Sequence, residues 1–172
     1  EARHGSGIAG VAQVVLAGIE PEQLIPFVVR EPLPGRTLAE LLEERRASGR
    51  GPFPASTVVP QLVEAANILG RAHARGIVHR CFGPESLLLV VHEARAPELR
   101  LLDLGIGKTL LAAARRATPG APLPLTMAPE QIEDEGGPES DQWALAMTAY
   151  HLLAGEPYWH ESTLSGLEER LQ

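Results

Sequence analysis

The stretch "DQWALAMTAYHLLAG" (141–155) constrains the fold more than any other part of the 172-residue chain. Large apolar residues, among them Trp143, Met147, Tyr150 and Leu153, fall on every side of it. A helix with no polar face has to be buried all round. Ser140 stands at its start as a cap. Gly155 stands just past its end, where a left-handed residue closes a helix. The rest of the chain must therefore supply enough apolar surface to wrap one central helix.

Several segments are suited to that task. From Ser56 to Arg75, Val59, Leu62, Ala66, Leu69 and His73 recur at helical spacing, and Gly76 ends the run. Pro60 reads as a first-turn residue, where a missing N–H costs least. "TLAELLEERRA" (37–47) predicts a short helix with Thr37 as its cap. Residues 11–19 and 24–29 read as a strand pair, and "LLLVV" (87–91) and "LRLLD" (99–103) as two further strands. "EPLPG" (31–35) is punctuation between elements. Residues 104–127 show no period and predict a long surface loop, functional or ordered by a partner. A last helix is expected near 162–171. The class is α+β.

Composition removes several functions. The formal net charge of −7 argues against nucleic acid or an anionic membrane as the main partner. Cys81 is the single cysteine, so no internal disulfide forms, and a reducing, cytoplasmic setting is expected. No apolar run reaches membrane-spanning length. The six histidines lack zinc-type spacing. The chain opens on Glu1 rather than methionine, which predicts a piece of a longer polypeptide.

Four ordered stretches then narrow the field. "GIVHRCFGPESLLL" (76–89) resembles the H-R-D-L-x-x-x-N catalytic loop of protein kinases and the strand after it. "LLDLGIGK" (101–108) resembles the metal-binding D-F-G segment, and "MAPEQI" (127–132) the A-P-E end of the activation segment. "SDQWALAMTAYHLLAGEPYW" (140–159) resembles the central helix of the large lobe, which opens on Asp-x-Trp. From about Gln23 onward the chain resembles the bacterial Ser/Thr protein kinases of eukaryotic-like fold. The resemblance implies a helical large lobe over 37–172, cut short after the helix near 162–171. A hinge at 31–36 and a truncated small lobe of two strands within 1–30 complete the division.

It also implies where the chemistry should sit, and several of those positions depart from the pattern. Cys81 stands at the position of the carboxylate base, and Gly83 at that of a lysine near the transferred phosphate. Ser86 replaces a metal-binding asparagine. Asp103 matches the metal-binding carboxylate, as a vestige of that role or as a retained loop anchor. The sole lysine, Lys108, follows Asp103 and cannot take the place of the small-lobe lysine. Glu31 and Leu33 would present hinge backbone to a nucleotide base. Arg30 sits just before the hinge, where an apolar side chain is usual, and beside an adenine pocket it would either need a partner or fill the space. His79, Arg80, Glu130, Asp141 and Trp143 fall at structural positions, with Asp141 holding the catalytic-loop backbone and His73 matching a buried histidine. Thr118 and Thr126 are the loop residues that Arg80 could meet if phosphorylated.

Two functional expectations follow. The first is a catalytically inactive, non-enzymatic kinase-like module that binds, scaffolds or regulates. It has no cofactor, and its partner is a protein or flanking domains of the same polypeptide. The alternative is a nucleotide-binding or active Ser/Thr kinase using Mg-ATP, with its small lobe outside this chain. A thiol nucleophile at Cys81 is disfavoured, because activation needs a low thiol pKa and an oriented base.

Overall fold

A computed structural model describes residues 7–20, 26–107, 124–132 and 135–160. Strands β1 (Val14–Ile19) and β2 (Pro26–Arg30) pair antiparallel, from Val14 opposite Arg30 to Ile19 opposite Pro26, with a bulge between Val14 and Leu16. A second sheet has the order β3 (Gly35–Thr37), β4 (Leu87–Val90) and β5 (Glu98–Leu101), also antiparallel. Residues 10–12 run beside β5, where Ala12 N–H donates to the Leu101 carbonyl and Leu101 N–H to that of Gly10.

Helix α1 (Leu38–Ala47) starts where expected. The Thr37 hydroxyl accepts from Glu40 N–H, and the Glu40 carboxylate accepts from Thr37 N–H. This reciprocal box satisfies two orphan donors. Helix α2 (Ala55–His73) buries Val58, Ala65, Ile68, Leu69 and Ala72. Pro60 lies in its second turn rather than the first, so the Ser56 carbonyl loses its helical donor.

Helix α3 (Pro138–Ala154) packs on α2 and closes at Gly155 with φ of 85°. Two expectations for it need correction. Gly137 is the cap, and Ser140 sits three residues on, accepting from Gly137 N–H through its hydroxyl. The helix is also not wrapped on all sides by the described residues. Asp141, Ala144, Thr148 and Leu152 form its buried stripe, a spacing of three or four that keeps one face inward. Tyr150 and Leu153 are exposed. The expected helix near 162–171 lies outside the described residues.

The core gathers Leu38, Leu42, Phe82, Leu87, Leu101, Leu104 and Leu152 around α2. A second cluster of Ala12, Leu88, Val90 and Leu102 has Leu33 packed against it. Among the described residues, no helix is long and apolar enough to cross a membrane. The β1–β2 pair stands apart from both clusters, with Val15, Leu16, Ile19, Phe27 and Val29 exposed.

Candidate active site

Residues 79–86 form a loop between α2 and β4 whose shape is set by one carboxylate. Asp141, almost wholly buried, accepts from the backbone N–H groups of His79 (2.8 Å) and Arg80 (2.8 Å). His73 Nε2 meets the same carboxylate at 2.7 Å. Charge-assisted bonds of this kind are about twice as strong as neutral ones. They hold Arg80 at φ of 67°, a left-handed conformation that non-glycine residues adopt only when their surroundings impose it.

His79 is fully buried. Its Nε2 donates to the Leu102 carbonyl at 2.9 Å, and its ring meets Phe82 edge-on at 5.6 Å. That donor bond fixes the neutral tautomer, and burial pushes the imidazole below its ordinary value, outweighing the nearby Asp141. The Arg80 carbonyl accepts from the Gln131 side-chain amide at 2.7 Å. Its guanidinium lies over Gly136, Nη1 being 3.4 Å from where a Cβ there would stand. Glu130 accepts from the Ser140 hydroxyl. Trp143 is half-buried on α3, and its indole N–H has no partner among the described residues.

The open rim of the loop carries the positions that depart from the kinase pattern. Cys81 is partly exposed. Burial first, then the carboxylates of Glu85 and Asp103, push its thiol above the ordinary value, so it stays protonated at neutral pH. Ser86 is turned into the loop, where its hydroxyl accepts from Gly83 N–H (3.3 Å) and donates to the Cys81 carbonyl (3.4 Å). Glu85 is exposed and folds back over Gly83, its Oε2 only 2.6 Å from where a Cβ on that glycine would lie. Any side chain at Gly83 would displace that carboxylate.

Asp103 follows β5 at φ of 59° and is about a third exposed. Arg30, the last residue of β2, places its Nε 3.6 Å from Asp103 Oδ1. This is the partner that an arginine before the hinge required. At the hinge, Glu31 spends its N–H on the Gln13 carbonyl (3.0 Å) and its carboxylate on Gln13 N–H (2.9 Å). Leu33 is half-buried against its cluster.

Two supports were not anticipated from the sequence. Gly107 lies flat on the catalytic loop, because a Cβ there would come within 2.2 Å of the His79 carbonyl. The Thr126 hydroxyl is buried and donates to the Phe82 carbonyl at 2.6 Å. This hydroxyl would have to leave the Phe82 carbonyl before it could be phosphorylated. Thr118 and Lys108 lie outside the described residues. The glycine immediately before the lysine of "GIGK" was the available signal for the first contact, and nothing local signalled the second.

Residues 14–171 match the protein kinase domain family. The chain belongs to the protein kinase family. The Ser/Thr protein kinase PknL of Mycobacterium tuberculosis is 35% identical over 150 residues, covering 85% of this chain and 35% of that protein. The Ser/Thr protein kinase Pkn1 of Myxococcus xanthus is 34% identical over 143 residues, or 81% of this chain and 20% of that protein. The chain thus spans about a third or less of the length of these curated relatives. The crystal structure of the Mycobacterium tuberculosis PknI kinase domain aligns with a TM-score of 0.64 at 24% identity, over 86% of this chain and 51% of that one. That likeness bears out the kinase-like α+β fold. The relatives also correct an expectation. They are named Ser/Thr protein kinases at up to 35% identity, and this overturns the reading of the chain as a non-enzyme.

Proposed function

We propose that this chain carries the large-lobe machinery of a Mg-ATP-dependent Ser/Thr protein kinase. The observation that carries the reading is Asp103: a carboxylate about a third exposed on a left-handed turn, beside a loop that Asp141 holds in shape. The named activities of its relatives support the same reading.

The residues fit a magnesium ion in the manner that kinases need. Among the described residues, no three His, Cys, Asp or Glu side chains form a self-sufficient metal cage. Magnesium does not require one, since it is bound through one or two carboxylates together with substrate phosphates and water. Asp103 supplies one carboxylate, and its Oδ2 has no hydrogen bond among the described residues. Ser86 spends its hydroxyl inside the loop and adds nothing to the metal. Bound Mg-ATP would supply the transferable phosphoryl group and neutralise its charge. In this reading residues 31–36 present hinge backbone to the base, through the Leu33 N–H, which has no partner among the described residues, rather than that of Glu31, which is paired with Gln13.

Cys81 sets the rate. A protonated thiol cannot accept the substrate hydroxyl proton, and a general base is worth about 10²–10⁴-fold. Transfer passes through a loose transition state that depends mainly on positioning and charge, so it survives the loss of the base at a reduced rate. The test is radiolabelled transfer from Mg-ATP to a Ser/Thr substrate protein. Slow transfer that disappears in Asp103→Ala and rises in Cys81→Asp is expected. The absence of both transfer and Mg-ATP-dependent thermal stabilisation in the wild type would overturn the reading.

A further inference from the structure

We propose that Arg30 is a phosphate-binding residue of this site, its guanidinium gripping the nucleotide's phosphates alongside the metal on Asp103. The inference rests on the kinase reading above and names a residue for it.

Phosphate recognition next to a metal-bearing carboxylate needs a second positive centre, because a triphosphate carries more charge than one divalent ion offsets. Among the described residues, Arg30 is the basic side chain paired with Asp103. Arg80, the other arginine near the loop, directs its Nη1 over Gly136 and spends its backbone on Asp141 and Gln131. The geometry of the Arg30 contact indicates what it is for. A latch built to neutralise Asp103 would be bidentate and short, about 2.7–2.9 Å per bond. The observed contact is single, runs through Nε and is 3.6 Å long. It uses only Oδ1, which leaves Oδ2 for a cation. It also leaves both Nη groups without an acceptor among the described residues. A guanidinium offers its donors in a planar fork matched to phosphate oxygens. Both side chains are about a third exposed, so the pair contributes little on its own and is readily shared with a ligand.

The position accounts for two oddities together. An arginine where an apolar residue is usual stands within reach of Asp103, the carboxylate assigned here to the metal. The loop position at which the kinase pattern places a phosphate-contacting lysine is Gly83, which carries no side chain and has the exposed Glu85 carboxylate folded over it. The cation arrives from β2 instead.

The experiment measures binding, not turnover. Adenosine and Mg-ATP are titrated calorimetrically into the full wild-type chain, Arg30→Met and Arg30→Lys. Arg30→Met should weaken Mg-ATP at least tenfold and leave adenosine within about twofold, with Arg30→Lys in between. Equal or tighter Mg-ATP binding by Arg30→Met would mean that Arg30 is idle or obstructs the metal, and the proposal fails. An equal loss for adenosine would make Arg30 a general support of the pocket, which also overturns it. If the wild type binds adenosine but gains nothing from Mg and the phosphates, the kinase reading falls as well. A wild type that gains affinity from the phosphates while Arg30→Met gains just as much isolates the failure to Arg30.

Discussion

Asp141 and Asp103 sit on either side of the same loop and are opposites. Asp141 is almost wholly buried and takes three donors, two of them backbone N–H groups. Asp103 is about a third exposed and meets one cation, loosely. A buried charge is tolerated only when it is saturated with partners. A carboxylate meant for a ligand has to stay unsaturated and wet. Partner count therefore separates the aspartate that builds the loop from the one the loop serves, although both are single carboxylates in a kinase-like pattern.

The sharpest way to break this contrast is Asp141→Ala. It strips His73 and two backbone donors of their acceptor, and removing one side of a buried charged network costs about 3–5 kcal/mol. Urea denaturation should show a loss of that size, or no cooperative transition at all. Gly107→Ala comes next. The added methyl meets backbone at 2.2 Å, with no flexible side chain to yield, and overpacking of this kind costs about 1–3 kcal/mol. Greater exposure of Cys81 to thiol reagents should accompany it, since Cys81 N and Cβ also lie within about 3 Å of that methyl.

A pH series sharpens the same comparison through His79, whose N–H Asp141 holds. Its folded-state pKa lies below the ordinary 6.5, because burial disfavours the cation. Below pH 6.5 the unfolded chain therefore binds the proton more readily than the folded one, and stability drops as pH falls through that value. Above it the contribution is flat. The urea midpoint should decline on the acid side of 6.5, and His79→Gln should blunt the slope. The smallest effect is at the other aspartate. Asp103→Ala removes only a partly exposed pair, so stability should change by less than about 1 kcal/mol. A loss comparable to that of Asp141→Ala would abolish the distinction.

Legibility in the sequence followed the range of the cause. Thr37 with Glu40, and Gly155 after Ala154, act within one turn of chain, and both ends were readable. Ser140 was misplaced by three residues because Gly137 and Pro138 also suit a helix start. Helix α3 looked apolar on every side, yet which side turns inward depends on where α2 lies against it, and periodicity does not encode that. At the site, Arg30 was visible as an oddity. Its partner was not, because strand β2 and the turn after β5 meet only in the folded molecule. The burial of the Thr126 hydroxyl had the same origin.

Gly107 lies against the His79 carbonyl, and Thr126 is bonded to the Phe82 carbonyl, so the chain leaves and re-enters at nearly the same spot on the catalytic loop. Closing a loop between two such clamps costs an entropy that grows only with the logarithm of its length, about 0.6 kcal/mol per doubling. Whatever length of chain runs between the clamps, the frame that positions Asp103 is held by contacts on its own side of them.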